Sequence, residues 1–216
     1  MKIVIAFLLI FASMQLQAQM VKAAEDFKYL SERFANDYLF LLNDPKQFKY
    51  RSELRNTIKE MEEDLRIMAK ETRNEDIHSI LDYLSYTKDE LQDLLDEGLK
   101  KENAQKVLDA TSSIVEGVDS ILQNLHQTLF KDELKYHIMK LSKLYMAIHL
   151  SIDPQENRTN LRNELHTVDA MLQNHNRTLY MTWHTYKRLF TTSPHYFIPH
   201  LTAIAVADLE ESINRL

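Results

Sequence analysis

Two matching stretches of the chain hold its most suggestive charges: Lys28 and Arg33 in the first, and Lys135, Lys140 and Lys143 in the second. Tyr29 and Tyr136 each follow the leading lysine, so a pocket at either place would have Tyr29, Tyr136 and Trp183 as its walls. Surface ion pairing is the competing reading, because Lys28 stands one turn from Glu25 and Glu32, and Lys135 is close to Asp132. Metal binding has less to stand on. A di-iron bundle needs two Glu-x-x-His runs plus two further glutamates, and only Glu75-x-x-His78 is present. No two histidines lie three or four apart, and no His–Met pair stands out as haem ligands, so no cofactor is expected. Gly-x-Ser-x-Gly, His-Glu-x-x-His and glycine-rich phosphate loops are all missing. Glu62-Glu63-Asp64 reads as a solvated helix face, and the chain is not expected to be an enzyme.

The elements that position these residues come in duplicate. Lys28-Tyr29, Tyr38 and Leu54-Arg55-Asn56 recur 107 positions later as Lys135-Tyr136, Tyr145 and Leu161-Arg162-Asn163. An Asp-Pro pair sits inside each copy, at Asp44-Pro45 and Asp153-Pro154, with a slip of two residues. A repeat of this length makes each copy a structural unit, and a period well above the roughly 30 to 50 residues of helical solenoids favours bundles.

Helix-period patterning runs through both copies. A first helix over about 20–43 aligns Phe27, Leu30, Phe34, Tyr38 and Leu41. Asp44 is expected to cap, and Pro45 to open, a second helix reaching about Thr72 with Leu54, Ile58, Met61, Leu65 and Met68 inward. A third starts near Asn74, Gly98 stops it, and a fourth spans about 99–130. The second copy predicts helices over about 131–151, after Asp153-Pro154, and around Trp183 and Tyr186. A break is expected near Asn174-His175-Asn176, a loop from Thr192 to His200, and a final helix to Leu216. The fold expected is all-α: two tandem four-helix-bundle modules, 19–126 and 127–216, stacked end to end and joined by a long helix.

Residues 1–18 read as a secretory signal: Lys2, an apolar run from Ile3 to Ala12, and Ala18 before the expected cleavage. Ten apolar residues fall short of the roughly 20 that a membrane-spanning helix needs. A soluble periplasmic protein is therefore expected, with an uncleaved anchor as the competing reading. There is no cysteine, and two glycines with four prolines suit long helices. Residues 19–126 hold 15 Lys/Arg and 23 Asp/Glu, whereas residues 127–216 hold 10 and 9 together with seven of the nine histidines. So acidic a first half speaks against nucleic acid. Asn157-Arg158-Thr159 and Asn176-Arg177-Thr178 fit glycosylation sequons and read as incidental.

The run from Lys28 to Ala35, Lys-Tyr-Leu-Ser-Glu-Arg-Phe-Ala, resembles the RMLSQRMA-type motif of a known family. That family is the N-terminal domain of type IV pili methyl-accepting chemotaxis transducers, related to the periplasmic domain of nitrate/nitrite sensor kinases. Lys135 to Ile148, the Asp153-Pro154 pair and the helix after it look like a second copy, and Tyr83-x-x-Tyr86 and Trp183-x-x-Tyr186 stand where such modules carry aromatics. The resemblance implies a periplasmic sensory module that binds a small ligand, an anion among the candidates. In the nitrate-sensing relatives a motif arginine holds the anion, and Lys28 and Lys135 stand at that position here. Lysine lacks the planar fork suited to nitrate or carboxylate. Relatives continue into a second span and an output domain, which are not found before Leu216, so the resemblance implies output through a membrane receptor or kinase partner. A homodimer is left open. The alternatives are an envelope structural or interaction protein without a ligand and, more remotely, a haem or metal carrier.

Overall fold

The computed structural model describes residues 2–125, 129–173, 177–191 and 198–216, with side chains from residue 17 onward. The protein is all-α, with eight helices among the described residues: α1 Lys2–Asn43, α2 Phe48–Glu71, α3 Glu75–Asp96, α4 Lys101–Leu125, α5 Phe130–His149, α6 Pro154–Leu172, α7 Arg177–Thr191 and α8 Pro199–Asn214. No glycine or proline interrupts residues 2–43, so α1 begins well before the expected position and carries the signal-like segment on the same helix as the motif. No described helix is long and apolar enough to cross a membrane.

The expected inward stripes are buried on α1 and α2, and form one continuous core with Leu84, Ile114, Trp183 and Leu209. Burying that much apolar side-chain surface is the main stabilising contribution to the fold. Asn74 caps α3 by accepting from the Asp76 amide, and Gly98, at φ +90°, turns the chain before α4. Gly117 permits close packing of α4 on α3: a Cβ there would lie 2.8 Å from Leu84 Cδ2.

The two Asp-Pro pairs differ. Asp153 caps α6 through the Glu156 amide and Pro154 is its first residue, as the spacing predicts. Asp44 instead accepts from the Lys46 amide and the Gln47 side chain, each at 3.2 Å. The chain makes a turn there, and α2 starts only at Phe48. Pro199 begins α8 inside the expected loop; residues 192–197, like the expected break at 174–176, lie outside the described residues.

Helices α1–α4 close one ring and α5–α8 another. The rings do not stack end to end, and no long helix joins them: α4 ends at Leu125 and Leu129 is extended just before α5. The modules lie side by side, with α1 packed along α5. Tyr38 meets Lys100 and Gln17 meets Leu125, so α4 runs antiparallel to α1. Glu25 meets Leu129 and Asn43 meets His149, so α5 runs parallel to α1. The repeat is visible in this seam. Lys22 reaches Asp132 while Glu25 reaches Leu129, and these four positions exchange under the 107-residue offset. The two copies are thus paired about a pseudo-twofold axis along the helices.

Candidate functional site

The seam between α1 and α5 is charged as well as apolar. Along α1, Glu25, Lys28, Glu32 and Asn36 follow helical spacing and are all buried. Opposite them stand Asp132, Glu133, Tyr136 and Lys143 of α5. Lys143 Nζ lies 2.7 Å from Glu32 Oε2, and neither side chain is more than 5% exposed. Taking both charges out of water is costly, so the pair persists by meeting in close geometry.

A second chain of charges crosses four helices. Asp119 of α4 is 2.9 Å from Lys28 Nζ, which also lies 3.5 Å from Glu133. Glu133 is 3.2 Å from His137 Nε2, and His137 Nδ1 is bonded to Glu164 of α6. Glu164 in turn meets Lys140 at 3.1 Å. Both ring nitrogens of His137 therefore face carboxylates, an arrangement that only the doubly protonated imidazolium can satisfy as donor. Burial pushes the His137 pKa down, but hydrogen bonds and charge from Glu133 and Glu164 outweigh it and raise it overall. For Glu164, burial raises and the His137 hydrogen bond with Lys140 lowers, leaving its pKa below the usual carboxylate range. The His137 hydrogen bond also lowers Glu133, against its burial.

The five residues expected to bind a ligand are not assembled into one anion site. Lys28 is 4% exposed, sits 4.1 Å above the Tyr136 ring, and has its charge taken up by Asp119 and Glu133. Lys135 and Tyr29 instead share a cavity of about 120 Å³ with Asp26, Asp132 and Glu210, and Tyr29 donates to Glu210 at 2.7 Å. Lys28 with Tyr136 and Lys135 with Tyr29 are the same pair exchanged between copies, so the motif lysines meet the other copy's tyrosine. Arg33 points away toward Asp37, at 3.8 Å, and Glu60, at 4.0 Å. An anion at Lys28 would have to displace two carboxylates, and one at Lys135 would face three. Of the expected aromatics, Trp183 is buried and donates to Asp169, whereas Tyr83 and Tyr86 are exposed.

Three carboxyls, Glu25 and Asp37 buried and Asp64 partly so, titrate high because burial outweighs the cations near them. Burial raises Glu25 to about 7, with Glu133 adding to the rise and Lys28 opposing it; one Glu25 oxygen has no hydrogen-bond partner. Burial likewise raises Asp37 to about 7 against Arg33, and Asp64 to about 7 with Asp26 adding.

A polar cleft of about 400 Å³ opens between α4, α5 and α6. It exists because the modules lie side by side: Gln105, Asp109 and Ser112 come from copy one, and the other polar walls from copy two. Its floor holds the buried Lys143, Asn157 and Glu164, all tied below: Lys143 to Glu32, Asn157 to the Ile152 carbonyl, and Glu164 to His137. The cleft therefore shares side chains with both charge networks of the seam. Nothing in the local periodicity pointed to it, because α4 and α6 are far apart in sequence. Asn157, of the first sequon, is buried in this floor. Among the described residues no group of three or more His, Asp or Glu is placed to hold a metal ion; Glu133 and Glu164 bind opposite nitrogens of His137 and do not converge. No family model, curated protein or solved structure matches the chain.

Proposed function

We propose that this protein is a helical sensor-like module, acting outside the cytoplasm, that binds a small polar molecule in the cleft between α4, α5 and α6. One observation carries the reading: the cleft is walled by both copies, and its floor residues Lys143 and Glu164 are the outer ends of the charge networks that clamp α1 to α5. A ligand drawing on Lys143 or Glu164 changes the forces holding that seam, and small helix shifts at a packed, charged interface are a common output of sensors. The signal-like segment continuous with α1, together with the resemblance of the motif helices, favours output to a membrane partner, a receptor or kinase.

The test is a thermal-shift screen of small polar compounds followed by amide hydrogen exchange with the best of them. A compound that binds only the folded state raises its stability. Protection is expected in α6 and, across the seam, in α1. No compound raising the melting temperature, or protection confined to a surface remote from the cleft, would overturn the reading.

A further inference from the structure

His137 stands in a charged cluster built by four helices. On α5, Glu133 and Lys140 lie one turn to either side of it, and the Tyr136 ring meets it edge-on at 4.9 Å. Glu164 faces it from α6, Lys28 holds Glu133 from α1, and Asp119 holds Lys28 from α4. Glu32 of α1 and Asp119 act on Tyr136. A neutral imidazole keeps one N–H and offers a lone pair at its other nitrogen, so without its extra proton His137 satisfies only one of its two carboxylates. Burial decides which. Glu164 is 6% exposed and is held from a second side by Lys140, so it keeps the remaining N–H at Nδ1. Glu133 is 24% exposed and can turn to water, leaving Lys28 without its partner on α5. Lys28 stays charged: burial lowers its pKa, but the Asp119 hydrogen bond and the charges of Glu133 and Glu25 raise it overall. A replacement acceptor stands one turn away on α1. Glu25 is buried, and its Oε2 has no hydrogen-bond partner among the described residues. Burial holds its pKa at about 7, so it gains its charge as the solution passes neutrality.

We infer that Lys28 changes carboxylates with the proton on His137: it ties α1 to Glu133 of α5 while the ring is doubly protonated, and turns to Glu25 of its own helix when the ring is neutral. Acid thus locks the two copies together at this level of the seam, and loss of the proton loosens them. The switch needs no ligand in the cleft.

The experiment follows the His137 ring and the Lys28 ε-methylene by proton–carbon correlation spectra of the whole protein from about pH 5 to 9. Lys28 Nζ lies 4.1 Å above the Tyr136 ring, so the ring current marks its neighbouring methylene and reports any move. The Lys28 signals are expected to shift with the same midpoint as His137. Glu25→Gln should raise that midpoint, because Lys28 then has no second charge on α1 to turn to and keeps Glu133 beside the ring. Charge alone predicts the opposite sign, since removing an anion weakens an imidazolium. Lys28 signals that stay still while His137 titrates, a ring that does not titrate over this range, or a midpoint lowered or unmoved by Glu25→Gln overturns the switch. Each of these outcomes leaves the ligand reading of the cleft standing.

Discussion

Tyr38 and Tyr145, the same residue of the two copies, do the same work. The Tyr38 hydroxyl donates to the Lys100 carbonyl at 3.1 Å and lies 3.2 Å from its amide, just before α4. The Tyr145 hydroxyl accepts from the Ile198 amide at 3.3 Å, just before α8. Each pins the entry of its module's last helix to its motif helix. Tyr38→Phe and Tyr145→Phe should each cost ~1 kcal/mol, for the lost hydroxyl contacts to backbone, two at Tyr38 and one to the Ile198 amide at Tyr145. That corresponds to a melting temperature lower by about 2–4 °C in a chain of this size. A change in only one of the two would break the equivalence.

Glu32 and Lys143 should behave as an obligate pair. Lys143→Met alone leaves a buried carboxylate without its cation and is expected to cost ~3–5 kcal/mol. Adding Glu32→Leu should recover most of the loss, because two apolar side chains of similar volume then fill the seam. Urea denaturation of the two singles and the double gives the coupling directly. Additive losses would show that the pair is not coupled.

Stability should peak in mildly acidic solution. Glu25, Asp37 and Asp64 have folded pKa values raised to about 7, so their contribution is greatest below the usual carboxylate range and is lost as pH rises through about 7. His137, also raised, contributes fully below its unfolded value and loses that contribution as pH climbs through its folded value. Glu133 and Glu164 are lowered, and their contribution disappears as pH falls through their folded values. The melting temperature is therefore expected to fall from about pH 6 to 8 and again below about pH 4. Glu25→Gln should flatten the alkaline fall. A melting temperature that climbs from pH 6 to 8 contradicts this arrangement.

Residues 19–126 expressed alone are expected not to form a stable monomer. Removing α5 would bare the seam face of α1, with Lys28 and Glu32 deprived of Glu133 and Lys143. Light scattering and circular dichroism should find self-association or a broad melt. A monomer melting cooperatively near the full-length temperature would show that copy one is an independent domain.

Local signals were legible and long-range ones were not. Periodicity located the stripes from Phe27 to Leu41 and from Leu54 to Met68, and the Asn74 and Asp153 caps follow from backbone hydrogen bonding within one turn. Asp44-Pro45 misled because the same dipeptide serves a turn as readily as a cap. Glu25, Lys28 and Glu32 looked like a solvent face, since a polar stripe has the same pattern whether it meets water or opposite charge. Their partners across the seam and on α4 lie about 90 to 111 positions away, beyond any local pattern. The cleft was invisible for the same reason: its walls meet only once the modules pair sideways.

The placement of α1 sets a timetable for folding. Its seam residues are synthesised first, yet Glu32 waits for a cation 111 positions further along the chain. Contacts that distant are slow to form, because a long loop must close before they contribute. The half-matched seam face of α1 is therefore the last surface to become safe from mispairing. A second copy of this same chain, offering its own Lys143, is the most complementary wrong partner it can meet, and crowded refolding should favour exchange of α5 between molecules.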